Sequence, residues 1–125
     1  MVCLPFISVV DDDDAVRKSL QRLIRSAGFA VKAFASAEEF LNSEHLGTTR
    51  CLILDVRMPG MNGFELQRRL CMSHCEIPVI FITAHGNEAA RSLALKDGAM
   101  VYLCKPFSDE ALLQLIEAAL RLEVI

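Results

Sequence analysis

A chain of 125 residues, 53% of them hydrophobic, has the length of one domain, 1–125, with a core that buries about two-thirds of its unfolded surface. Thirteen Lys and Arg against sixteen Asp and Glu leave a net charge of −3, which excludes a disordered or fibrous chain and, with no basic run, argues against direct nucleic-acid binding. No apolar stretch approaches the roughly 18 residues of a membrane span, and MVCLPFISVV lacks the basic start of a signal peptide, so a cytoplasmic protein without membrane contact is expected. Cys3, Cys51, Cys71, Cys75 and Cys104 are odd in number and lack disulfide spacing, which predicts reduced thiols. Cys71, His74 and Cys75 make up only part of a four-ligand zinc site.

In chain order, short apolar runs rich in β-branched residues predict strands at 6–10, 29–34, 51–54, 79–82 and 100–103. After the first comes a helical pattern, Val16, Leu20, Leu23, Ile24 and Ala27, with Gly28 placed as its C-terminal stop. Ser36 followed by Glu39 reads as a capping box opening a second helix. A third runs from Gly63 to about position 70, a fourth from Asn87 to Lys96 ending at Gly98, and Ser108 caps a fifth. In that last helix Leu112, Leu113, Leu115, Ile116, Ala119, Leu120 and Leu122 span more than the stripe of about 100° that one sheet face needs. Either a partner covers the surplus or the extra leucines are scattered on the surface.

Strict alternation with apolar strands predicts a doubly wound α/β fold: a five-stranded parallel sheet covered by helices on both faces. Ligands of such sheets bind at the carboxyl ends of the strands, where this chain carries Asp11 to Asp14, Asp55, Thr83 and Lys105. Carboxylates converging after the first and third strands repel one another unless a hard divalent cation compensates them. Mg2+ suits open carboxylate sites beside phosphate oxygens. A carboxylate can attack phosphorus while the cation, a Lys and a hydroxyl neutralise the transferring oxygens. Taken singly, DDDD could be a solvated turn, Thr83 a helix cap and Lys105 a surface charge.

Taken together, VVDDDD, LDVRMPGMNG, VIFITAHG and GAMVYLCKPF resemble the four signature segments of the response-regulator receiver domain of two-component signalling. The resemblance covers nearly the whole chain and is closest to the receivers of nitrogen-fixation-type, DNA-binding regulators. It implies a flavodoxin-like sheet in the order 2-1-3-4-5 with five helices. Asp55 would be the phosphoacceptor, Asp11 and Asp12 with Asp55 and the Arg57 carbonyl would hold Mg2+ or Mn2+, and Thr83 and Lys105 would read the phosphate. Between the two loop acids Asp12 would be the more direct ligand, with Asp13 in support. Lys105-Pro106 matches the family's cis peptide, Tyr102 its rotating aromatic, and Arg57 and His85 the positions that tune the lifetime of the phosphoryl group.

The partners that the resemblance implies are a sensor histidine kinase, a C-terminal output domain, transcriptional in kind, and a homodimer formed on phosphorylation. The domain would be a signalling module that catalyses only its own phosphotransfer and dephosphorylation. Val101 stands where receivers often carry an Asp before the aromatic, which argues against an ionic dimer. Two other readings compete. Asp12-x-Asp14 also resembles the nucleophile motif of haloacid-dehalogenase-type phosphohydrolases, with Asp12 as nucleophile, but that leaves Asp55 without a role. A binding-only receiver, indifferent to phosphorylation, is disfavoured because no acceptor, metal, Thr or Lys position is missing.

Overall fold

Among the described residues five short strands set the frame: β1 (Phe6–Val10), β2 (Ala30–Phe34), β3 (Cys51–Asp55), β4 (Val79–Thr83) and β5 (Val101–Cys104). The computed structural model describes residues 6–56, 58, 60–73, 77–83, 101–104 and 108–122. The strands pair in the order β2-β1-β3-β4-β5, every pair parallel, as expected. Side chains alternate between the faces with a period of two. Leu52 and Leu54 of β3 join Val10, Phe34, Phe40, Leu66 and Phe81 on one side. Cys51 and Ile53 join Ile7, Val9, Ile24, Ile80 and Ile82 on the other. Burying both faces explains why β3 and β4 read as continuous apolar runs.

Helices α1 (Asp14–Ser26), α2 (Ala37–Leu41), α3 (Gly63–Met72) and α4 (Asp109–Leu122) cover the sheet. Leu20 and Ile24 of α1 and Leu112, Ile116 and Ala119 of α4 seal one face, while α2 and α3 contribute Ala37, Phe40, Leu66 and Leu70 to the other. Each fully buried aliphatic is worth about 1.5–3 kcal/mol relative to exposure. The helix predicted at Asn87 to Lys96 lies outside the described residues. The leucines that broaden the apolar stripe of α4, Leu113, Leu115 and Leu120, are partly buried against the same cluster as Ile116. Packing at the sheet margin therefore accounts for part of that breadth.

Local chemistry ends and starts these helices. Gly28 has φ +94°; its N–H donates to the Arg25 carbonyl and that of Phe29 to the Ile24 carbonyl, which closes α1 in a Schellman motif. Ser36 Oγ accepts from the Glu39 N–H at 3.1 Å, half of the expected capping box. The complete box belongs to α3, where Asn62 accepts from the Glu65 N–H and Glu65 returns a bond to the Asn62 N–H. Ser108 Oγ accepts from the Ala111 N–H at 3.0 Å, as its capping role requires.

One buried polar chain ties the bottom of the sheet together. Thr49 Oγ1 donates to the His45 carbonyl at 2.6 Å, which commits its single proton, so Ser8 is the donor in the 2.7 Å Ser8–Thr49 bond. The His45 ring stacks on Phe6 with centroids 4.6 Å apart. Cys51 is a buried cysteine and Cys71 an exposed one.

Candidate functional site

The carboxyl ends of β1 and β3 lie side by side, and each strand end carries an acid. Asp55 is the last residue of β3, not the first beyond it, and pairs in register with Ile82 of β4. Thr83 ends β4 in register with Cys104. The sequence alone predicts Asp55 just after its strand and Thr83 at the end of VIFIT. The ladder extends one residue further because Val56 N–H still donates to the Ile82 carbonyl. Both side chains are therefore held by sheet backbone, Asp55 at 8% and Thr83 at 1% exposure.

Four consecutive aspartates would be indistinguishable by composition, but the turn gives each a separate task. Asp11 is fully buried, and its N–H extends the ladder to the Phe34 carbonyl at 3.1 Å. Its Oδ1 accepts from the Asp13 N–H at 2.9 Å, an Asx turn that lifts the chain out of the sheet. Asp12 is exposed. Asp13 is the N-cap of α1, accepting from the N–H groups of Ala15 and Val16. Asp14 opens the helix and pairs with Lys18 at 3.0 Å and Arg17 at 3.1 Å. The Lys18 ammonium, with Arg17 adding to it, holds the Asp14 carboxyl below its ordinary value. Acids in the first turn also suit the positive end of the helix dipole.

This division leaves two of the four to face β3. One carboxylate oxygen each from Asp11, Asp12 and Asp55 lies within 4.8 Å of the other two. Among the described residues this is the only group of three or more His, Cys, Asp or Glu side chains that converges in this way. Three carboxylates so close repel one another, and the donor set is all oxygen with one member exposed, which fits a hard, partly hydrated divalent cation such as Mg2+.

Two neighbours that sequence reading did not single out shape this pocket. Arg17 Nη1 donates to the Asp11 carbonyl at 2.8 Å; the acid-to-base spacing of Asp14 and Arg17 on one helix face was the available signal. Gly63, the first residue of α3, sits directly against the end of β3 and donates its N–H to the Val56 carbonyl at 3.0 Å. Nothing local in the sequence marks that approach. Arg57, His85, Lys105 and Pro106 lie outside the described residues, as does the side chain of Tyr102, whose backbone is in β5.

The model of the response regulator receiver domain matches residues 7–117. The response regulator protein TodT of Pseudomonas putida is 47% identical over 116 residues, 93% of this chain and 51% of that protein. The transcriptional regulatory protein FixJ of Bradyrhizobium diazoefficiens is 42% identical over 115 residues, 92% of this chain and 56% of its own length. The response regulator StyR superposes with a TM-score of 0.87 at 47% identity, covering 96% of this chain and 61% of that one. The chain thus spans about half the length of these curated relatives. No helix among the described residues is long and apolar enough to cross a membrane. In sequence, in strand order and in its match to the family model, the chain belongs to the response regulator receiver domain family.

Proposed function

We propose that Asp55 is the phosphoacceptor of this receiver, taking a phosphoryl group from a sensor histidine kinase in the cytoplasm. The convergence of Asp11, Asp12 and Asp55 at one end of the sheet carries the reading. A carboxylate oxygen of Asp55 attacks phosphorus, the bond from phosphorus to the donor's imidazole nitrogen breaks, and its electron pair stays on the imidazole. Asp11, Asp12 and Asp55, with the Arg57 carbonyl that the resemblance implies, would hold Mg2+, or Mn2+ in its place, and the ion would supply charge neutralisation to the phosphoryl oxygens. Thr83, beside Asp55 at the adjacent strand end, donates its hydroxyl to the transferred group, and Lys105 supplies the fixed cation. By the family resemblance, Arg57 and His85 would tune the lifetime of the phosphoryl group.

The signal would leave through the face around Thr83, Tyr102 and the fourth and fifth helices, those expected at Asn87 to Lys96 and after Ser108. Its recipient is an output domain of the DNA-binding kind, consistent with the half of its relatives' length that this chain spans, or a second receiver in a phosphorylation-dependent homodimer. Intact-mass analysis after acetyl phosphate treatment tests the assignment. The parent gains one phosphoryl group only with Mg2+, and Asp55→Asn gains none. Label on Asp12 with rapid turnover would establish the hydrolase reading instead, and a melting temperature unmoved by beryllofluoride with Mg2+ would establish an inert receiver.

A further inference from the structure

A fixed positive charge stands beside the acidic cluster. Arg17 Nη1 donates to the carbonyl oxygen of Asp11 at 2.8 Å, and Nη2 to Asp14 Oδ1 at 3.1 Å, with the side chain only 19% exposed. The Asp11 carbonyl belongs to the peptide unit that joins Asp11 to Asp12, the two loop acids of the cluster. Lys18, one residue on, is 67% exposed and pairs with Asp14 Oδ2 at 3.0 Å. By charge alone a guanidinium beside a cation site weakens cation binding. Its bonded geometry acts in the opposite direction. The peptide plane between the acids is gripped from the helix side by Arg17, while the Phe34 carbonyl and the Asp13 N–H hold Asp11 on either side of it.

We propose that Arg17 is a positioning residue for the divalent-cation pocket: its two-armed guanidinium locks the Asp11–Asp12 peptide plane, so that both carboxylates leave the chain aimed at Asp55. The inference rests on the reading of that cluster as a Mg2+ site and names the residue that preorganises it. A planar fork reaches two acceptors at once, and a lysine ammonium on a flexible stem does not reproduce it. Charge and geometry therefore predict different results for the same substitutions: charge alone predicts tighter binding for Arg17→Met and no change for Arg17→Lys, and geometry predicts weaker binding for both.

The test is Mg2+ titration of the unphosphorylated chain by calorimetry, with amide spectra to establish folding and to follow the shifts of residues 11–13. Arg17→Lys keeps the charge and loses the fork; it should weaken Mg2+ binding by about tenfold, the order expected for one charge-assisted hydrogen bond. Arg17→Met should weaken it by a similar factor despite removing a repelling charge, and Lys18→Met should stay within about twofold of the parent. Equal or tighter binding by Arg17→Met, or parental binding by Arg17→Lys, overturns the positioning role while the Mg2+ site stands. Should Arg17→Met not fold, Arg17→Lys decides alone. A parent chain that takes no Mg2+ overturns the underlying site reading as well.

Discussion

Replacing Gly63 with Ala probes a close approach between the start of α3 and the end of the strand that carries Asp55. A Cβ at Gly63 would lie 2.5 Å from the Asp55 carbonyl oxygen, 3.0 Å from Phe81 Cε1 and 3.1 Å from Val56 Cα. Ordinary C···O contacts begin at about 3.3 Å, so the backbones must part by about 0.8 Å. Neither side gives way easily. The Phe81 ring is fully buried and packs against Phe64 at 5.2 Å, and Val56 is bonded to both Ile82 and Gly63. Overpacking of this kind costs about 1–3 kcal/mol, withdrawal of α3 sacrifices a backbone bond worth about 1 kcal/mol, and the helix propensity of Ala returns less than about 1 kcal/mol. Urea unfolding followed by circular dichroism should show a net loss of about 1–3 kcal/mol. Labelling of Asp55 by acetyl phosphate should slow, because the strand end that aims its carboxylate moves. Gly28→Ala is the comparison: its φ of +94° makes the new side chain strained, but nothing lies within 4 Å of it. That variant should lose about 1 kcal/mol and keep the parental labelling rate. Parental stability and labelling in Gly63→Ala would refute the steric argument.

Thr49→Val should cost about 1–3 kcal/mol by leaving the buried Ser8 hydroxyl without its acceptor. The Ser8→Ala, Thr49→Val double variant should recover part of that loss in a urea double-mutant cycle, and additive losses would contradict the bond. Thr83→Ala should still accept phosphate on Asp55 but lose any beryllofluoride-dependent association measured by sedimentation; a parental response would place the output on another surface. The Asp14 carboxyl is held below its ordinary value of 3.8 in the fold, so the stability it contributes is present above that pH and is lost as pH falls through the lowered value. The melting-temperature gap between parent and Lys18→Met should therefore be present near about pH 6 and close under strong acid. A gap that widens on acidification would reverse the sign assigned to the pair.

The strands were legible in the sequence because period and turn chemistry are local: each predicted strand falls within one residue of the observed bounds at either end. Gly28 closing α1 and Ser108 opening α4 were legible for the same reason. So was the meeting of Asp11, Asp12 and Asp55, since a parallel sheet gathers what stands at the carboxyl ends of its strands. What DDDD does was not legible in that way. Four identical side chains divide into a buried acid, an exposed one, a helix cap and an ion-pair partner only once an Asx turn and a helix axis have set their directions. Local pattern is equally silent on the Ser8–Thr49 bond, which spans 41 residues, and on Gly63 against Asp55. Those contacts depend on how closely separate elements pack, and that distance is decided by side chains from the whole core at once, not by any one segment.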